Sequence, residues 1–487
     1  MPSQVRPASV LTIPANRRGM AGVLLVIAAM ATSFLWAAGH DDQRCIQLVM
    51  LALLVPLMLA GERMAGQIAW MAPASRRCLG AFLFLGGVSA LGAFSLRHAV
   101  YELSTLLLLA MTAALLAGEL ARANAAGLQT VLRCLLVVGI LHVLRIALIY
   151  TAALASGVQT DMHALAVGFS NARFFNHAQT ALLPLVVLLF LQTPKGSAWR
   201  HASFALAACW WAFLFFSEAR ASILALGAGC AFAFAVRRVG ARSFLQAMVL
   251  TALGGIVVYV LAFVLLPMLA GLPAFNAVGS VVQRTAADPT SSRIPMWRLC
   301  LELIAAHPLL GVGPQHFAHQ HEAWSWGAHP HDFILQIGAE WGMPALLCLL
   351  VAIGAGMLGL VRSGTRLAHS DVSGQHTVAV LLATGAAILV DGLFSGVLVM
   401  PLSQLAIVLY LACSMAWVRS RDQATAPNVG KPLRWLTSSL AVLALGGLVY
   451  GVAPGIERHA RHAPLTPAEQ AANPDIQWPR LWEAGHF

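Results

Sequence analysis

Apolar and polar positions fall in long blocks along this chain. From Gly19 onward, runs of roughly twenty apolar residues recur, separated by short stretches rich in Arg, Gly, Pro and Ser. A helix needs about 20 such residues to cross ~30 Å of hydrocarbon. The pattern predicts spans near 19–38, 45–61, 79–95, 103–121, 132–154, 178–192, 202–217, 219–236, 244–269, 333–361, 376–399, 401–418 and 435–453. The stretch from His201 to Val236 reads as two short helices meeting near Ser217-Glu218-Ala219-Arg220, with one long tilted helix as the alternative. The run 333–361 is long for one span, and Gly342 and Pro344 predict a kink in it. The expected fold is an all-α polytopic membrane protein with about 12–13 transmembrane helices.

The remaining blocks divide the chain into four parts. Residues 1–269 carry about nine spans, 270–332 a large loop, 333–453 the last spans, and 454–487 a tail. Loops of that length between spans are functional or ordered. This one predicts a helix of its own over Arg293–His307, with Ser291 or Ser292 as the cap and "HPLLGVGP" as the stop. In the tail, "LTPAEQ" is a capping-box pattern, with Thr466 as cap, Pro467 first in the helix and Glu469 reaching back. The first run follows Arg17-Arg18 and outlasts a signal-peptide core, which predicts an uncleaved first helix.

Composition agrees with the block pattern. Hydrophobic residues make up 59% and charged residues 10%, against about 25% charged in soluble domains. The net charge of +11 invites a nucleic-acid partner. Its placement excludes one, because most Lys and Arg lie in short loops between spans, where they set orientation. With the N-terminal side taken as inner, 19 Lys and Arg are inner and 10 outer, and Arg145 lies within a span. The N-terminus is therefore expected in the cytoplasm, and thirteen spans leave the C-terminus outside. The eight cysteines are scattered without a CxxC, so neither a zinc knuckle nor a disulfide framework is expected.

The same count makes the outer charged residues conspicuous. His316, His319, His321, His329 and His331 crowd together beside Glu322 and Asp332. Histidine suits zinc, but H-x-x-H-x-H puts no three on one helical face, and no metal is expected. His331 sits at the boundary of a span. It reads either as a neutral imidazole able to accept a proton or as an interfacial residue capping the helix with Asp332. Arg220 lies where a span ends, in "FFSEARASILAL", with Glu218 as a local partner; Arg293 opens the loop helix; Arg173 sits in "NARFFNH". Arginines near a membrane face are costly and paired or functional, and the guanidinium fork recognises phosphate. A lipid-linked phosphate or diphosphate suits that boundary. Asp391 is an intramembrane carboxylate read as either packing or substrate-facing, Glu340 and Gln336 are possible supports of the site, and Arg145 pairs inside the bundle or snorkels.

Four stretches, in this order, resemble the O-antigen ligase and O-antigen polymerase superfamily. They are "NARFFNHAQTALLPL", "SEARASILAL", "SSRIPMWRLCLELIAAHPLLGVGPQHF" and "HPHDFILQIGAEWGMPALL". The chain departs from the family in Asp332, where Asn is more usual, and in a thirteenth span. The resemblance implies a GT-C-type glycosyltransferase of the bacterial inner membrane, metal-independent, inverting and without cofactor. It implies an undecaprenyl-diphosphate-linked glycan donor met on the periplasmic face among membrane lipids; it does not fix the branch, and lipid A–core is the leading acceptor. It makes His331 the general base, and Arg220, Arg293 and Arg173 the holders of the diphosphate. A growing glycan or a protein Ser/Thr is the alternative acceptor. A secondary transporter or lipid flippase is the reading from another class, and it calls for an inverted repeat that the sequence does not display.

Overall fold

The computed structural model describes residues 19–60, 62–287, 290, 293–320, 328–422 and 429–461, and their regular structure is entirely helical. The N-terminal half runs α1 (Ala21–Leu35), α2 (His40–Leu59), α3 (Glu62–Trp70), α4 (Pro73–Leu91), α5 (Leu96–Ala155), α6 (Met162–Leu165), α7 (Ala172–Gln192), α8 (Ala198–Phe216) and α9 (Arg220–Val236). Then α10 (Arg238–Tyr259) passes through a π-helical stretch, Val260–Leu265, into α11 (Leu266–Leu269). The expected large loop holds α12 (Ala277–Ala287) and α13 (Arg293–Ala306). The chain closes with α14 (Phe333–Trp341), α15 (Met343–Thr365), α16 (Val372–Gly392), α17 (Pro401–Arg421) and α18 (Lys431–Arg461). The proposed caps Ser291 and Ser292, the residues His321 and Glu322, and the "LTPAEQ" segment lie outside the described residues.

Among the described residues, eight helical stretches are long and apolar enough to cross a membrane. The chain is a multi-pass membrane protein. Helices α1 and α9 are apolar but shorter. Helices α4 and α8 stand outside the eight; Arg76 and Arg77 dilute one, Arg200 and His201 the other.

Every predicted span falls on a helix, with two differences. Spans 103–121 and 132–154 both lie in α5, and the connection expected between them is itself helical, broken only at Asn124 (φ 54°, ψ −144°). The run 333–361 does more than kink: it divides at Gly342 into α14 and α15. The His201–Val236 stretch is two helices, as the first reading had it.

The core is built around α7, of whose span 89% is buried, between α8, α16 and α17. Helices α10 and α15, whose spans are only 17% buried, form the periphery. Buried apolar area at about 25 cal/mol per Å² drives such packing in water. Inside a bilayer close packing and interhelical hydrogen bonds replace it. Arg44 illustrates this: fully buried in α2, it donates to Gln47, to Gln404 Oε1 at 2.8 Å and to the Val399 carbonyl at 2.6 Å. Arg97 donates to the Gly451 carbonyl at 3.0 Å, and Arg145 to the Phe34 carbonyl at 2.9 Å. Two arginines counted as outer therefore brace helices, and Arg145 pairs inside the bundle.

Candidate functional site

Local chemistry fixes the start of α7 and of α9 at the same end of the bundle. Asn171 caps α7 by accepting the Arg173 N–H at 2.9 Å, which places Arg173 in the exposed first turn. Three residues on, Asn176 is buried, and its side-chain amide donates to Ser217 Oγ at 2.9 Å. Ser217 lies in the turn joining α8 to α9. Glu218 adopts a left-handed conformation there (φ 52°), so the chain reverses within Ser217–Ala219 and Arg220 opens α9. Arg220 Nη1 then reaches out to Thr285 Oγ1 of α12 at 2.6 Å and secures the large loop.

A second pair of segments brings His331 to this end. Arg293 begins α13, with Nη1 donating to the Thr290 carbonyl at 3.3 Å. One turn along, Trp297 Nε1 donates to the Pro330 carbonyl at 3.1 Å, which anchors α13 to the residue before His331. His331 is left-handed (φ 58°); its N–H donates to His329 Nδ1 at 3.3 Å, and the two rings lie 4.1 Å apart. Asp332 caps α14 by accepting from Ile334 N at 2.8 Å and Leu335 N at 3.0 Å. Capping therefore belongs to Asp332, and the His331 ring is left for other work.

The "HPLLGVGP" stretch is a clamp. Val312 N and Gly313 N donate to the carbonyls of Ala339 and Glu340, both at 2.9 Å, and Met343 N donates to that of Pro308 at 2.9 Å. The loop thus grips the break between α14 and α15. Gly311 (φ 64°) and Gly342 (φ 87°) are required by contact as well as by conformation: a Cβ on either would lie 2.4 Å from Glu340 C or 2.2 Å from the Leu309 oxygen. Glu340, fully buried, accepts the Phe317 N–H at 2.9 Å and orients that loop. Gln336 is also buried, on the first turn after Asp332, and its backbone N–H donates to the Asp332 carbonyl.

Electrostatics join the two halves. Burial first, then the charges of Arg293, His177 and Arg173, push the His331 imidazole down from its ordinary range to about 3. The ring is neutral at neutral pH, with a lone pair to accept a proton. Burial pushes the Asp332 carboxyl up, against the two backbone donors that hold it down.

His177 is the group that reading the sequence missed. It is buried on α7, one turn past Arg173, with Nδ1 3.8 Å from Asp391 Oδ2. Asp391, fully buried near the end of α16, also accepts from Thr180 Oγ1 at 2.7 Å and Ser222 Oγ at 3.4 Å. Ser222 stands two residues after Arg220, and Phe333 packs within van der Waals reach of Gly392 beside Asp391. Arg173, Arg220, Arg293, His331 and Asp391 therefore gather at one end. Glu340 serves the clamp. The only sign of His177 in the sequence is a titratable residue in the first turns of an apolar run, the feature that singled out His331.

Two further histidines of the loop have structural partners. His316 accepts the Ser95 N–H on Nε2 at 2.9 Å and lies 2.8 Å from the Pro314 carbonyl through Nδ1, and His319 stacks on Phe94 at 4.1 Å. Among the described residues no cluster of three His, Cys, Asp or Glu has the arrangement of a metal site.

Residues 202–350 match the family model for O-antigen ligase. This match, over about a third of the chain, supports the resemblance to the O-antigen ligase and polymerase superfamily. The domain includes Arg220, Arg293, His331, Gln336 and Glu340, whereas Arg173, His177 and Asp391 come from helices on either side of it. No curated protein matches the chain. The family's members are glycosyltransferase-like enzymes acting on lipid-linked glycan, and the O-antigen ligase domain here supplies most of the polar groups at one end of a membrane bundle.

Proposed function

We propose that the chain is an O-antigen ligase: it moves glycan from undecaprenyl diphosphate to lipid A–core on the periplasmic face of the inner membrane. The observation that carries this reading is the neutral imidazole of His331 held beside Arg293 and Arg173. A neutral base beside fixed cations suits a reaction in which a hydroxyl loses a proton while an anion departs. His331 takes the proton of the acceptor hydroxyl as its oxygen bonds the anomeric carbon. The bond from that carbon to the diphosphate oxygen breaks on the opposite face, which inverts the configuration, and the diphosphate leaves with the electron pair. Arg220, Arg293 and Arg173 bind its oxygens through forked hydrogen bonds. A diphosphate is a good leaving group, so the residues need provide no acid. No step requires a metal.

The four-part division of the chain, with a cytoplasmic N-terminus and the loop 270–332 above the site, belongs to this proposal. Asp391 and His177 form the floor of the site, and Glu340 and Gln336 support it through α14.

The test supplies purified protein in liposomes with undecaprenyl-diphosphate glycan and, separately, lipid A–core, a free glycan chain and a Ser/Thr peptide. Product on lipid A–core, lost by at least ~100-fold in His331→Ala, is expected. Product on the glycan chain alone would make the protein a polymerase, and product on the peptide alone a protein O-oligosaccharyltransferase. Absence of transfer to all three would end the transferase reading.

A further inference from the structure

A second charged site lies at the opposite end of the same helices. Arg220 and Asp391 stand at one end of α9 and α16; Val236 and Gln375 stand at the other, about 24 Å away at 1.5 Å per residue. There the α9–α10 turn, the last turn of α15 and the first turn of α16 enclose a cavity of about 170 Å³. A single water needs only about 10–15 Å³ of such space. Arg237, Arg238 and His369 line it together with Thr365 and Gln375, and no acidic side chain does. The nearest carboxylate on α16, Asp371, is occupied: it caps the helix through Gly374 N at 2.9 Å and pairs with Arg421 at 2.6 Å.

The cationic groups are oriented and under-used. Arg237 Nη2 donates to Gln375 Oε1 at 2.6 Å, which fixes the guanidinium plane, and Gln375 is itself buried. The Nε–H of Arg237 is buried without a hydrogen-bond partner, a costly state for a charged donor. Among the described residues Arg238 and His369 make no hydrogen bond or ion pair. The orientation bias explains why arginines collect at this end; it does not explain why they enclose a cavity. Val239, exposed at the rim, borders the cavity with an apolar side chain.

We propose that this cavity binds a phosphate-type oxyanion. Its oxygens accept from Arg237 Nε, from the Arg238 guanidinium and from His369, in the manner of basic pockets between membrane helices that hold lipid head groups. The apolar rim favours the phosphate of an anionic phospholipid over free phosphate. The site is independent of the transfer reaction.

Native mass spectrometry of the full-length protein in detergent tests it, with dioleoylphosphatidylglycerol compared against dioleoylglycerol, which has the same chains without phosphate. The protein is expected to retain the phospholipid selectively, and Arg237→Gln/Arg238→Gln to weaken retention about tenfold or more. Arg237→Gln also loses a contact to Gln375, so Arg238→Gln/His369→Gln, which removes no contact within the described structure, serves as the second variant and should weaken retention in the same direction. Inorganic phosphate is titrated in parallel. Competition by phosphate at the concentration of the lipid would identify a free oxyanion as the occupant; phospholipid retained against it would identify the head group. Equal retention of the two lipids with no uptake of phosphate would overturn the proposal. So would retention in both variants equal to that of the unaltered protein.

Discussion

A histidine beside arginines is a poor proton acceptor until something offsets the arginines. Burial and the charges of Arg293, His177 and Arg173 hold His331 near 3, so in the free protein it stays neutral over the whole working pH range. In the proposed reaction a bound diphosphate would cancel part of that positive field and make the imidazole more basic as the hydroxyl is deprotonated. The sign of the effect is testable. Removing a cation must raise the imidazole, so Arg173→Gln is expected to move the acid limb of kcat/KM upward, towards the ordinary value of about 6.5. A limb at the same pH in both proteins would contradict the placement of Arg173. At Arg220 and Arg293 geometry matters as well as charge. Lysine at either position is expected to cut transfer by about tenfold or more, with the folded state kept, because a point charge does not replace the fork. Steady-state kinetics with circular dichroism as the fold control checks this. Reading the sequence located His331 and the arginines because each interrupts an apolar block or opens a helix. It did not reach His177, whose partner Asp391 is distant in sequence, and it could not divide the capping it offered to His331 and Asp332 jointly, which depends on backbone dihedrals.

At the scale of elements, the gripping of the α14–α15 break by the loop 308–313 matters most. Gly342 has φ 87°, and a Cβ there would sit 2.2 Å from the Leu309 oxygen. Gly342→Ala thus combines a strained backbone, roughly 1–3 kcal/mol, with displacement of the loop. Its thermal midpoint in detergent should fall by several degrees, and transfer should fall with it, although residue 342 touches none of the proposed reacting groups. A protein as stable and active as the original would show that the clamp is dispensable. The helices themselves were legible because apolar runs of span length carry their own signal. The break at Gly342 was half-legible: glycine with Pro344 two residues later announced a kink, while the carbonyl that forbids a side chain, that of Leu309, lies far upstream. A break between 121 and 132 was expected, and asparagine tolerates the φ of 54° found at Asn124; what hydropathy did not announce is that the residues on either side of it stay helical.

Over the whole molecule, buried polar groups tie sequence-distant helices together. Arg44 links α2 to the start of α17 and to the loop before it, through Gln404 and the Val399 carbonyl. Arg44→Met would leave Gln47, Gln404 and a carbonyl short of a donor. A loss of about 3–5 kcal/mol is expected when one partner of a buried charged network is removed. A reduced yield of folded protein and a lower midpoint would register it; an unchanged midpoint would mean that the network is spare. The charge count treated Arg44 as an outer residue, since a span boundary drawn from hydropathy cannot tell a charge facing water from one turned into the bundle. The bundle as a class was legible from composition; its centre at α7 was not, because burial depends on which helices surround which.

The clamp also bears on how such a protein diversifies. Trp297 and the 308–313 loop fasten the second half of the large loop to the frame that carries His331, whereas the segment before Arg293 is joined to that frame through Arg220 and Thr285. Phe275 packs on Phe216 and Phe263, so variation beyond it, at residues 276–284, would leave the proposed reacting geometry in register.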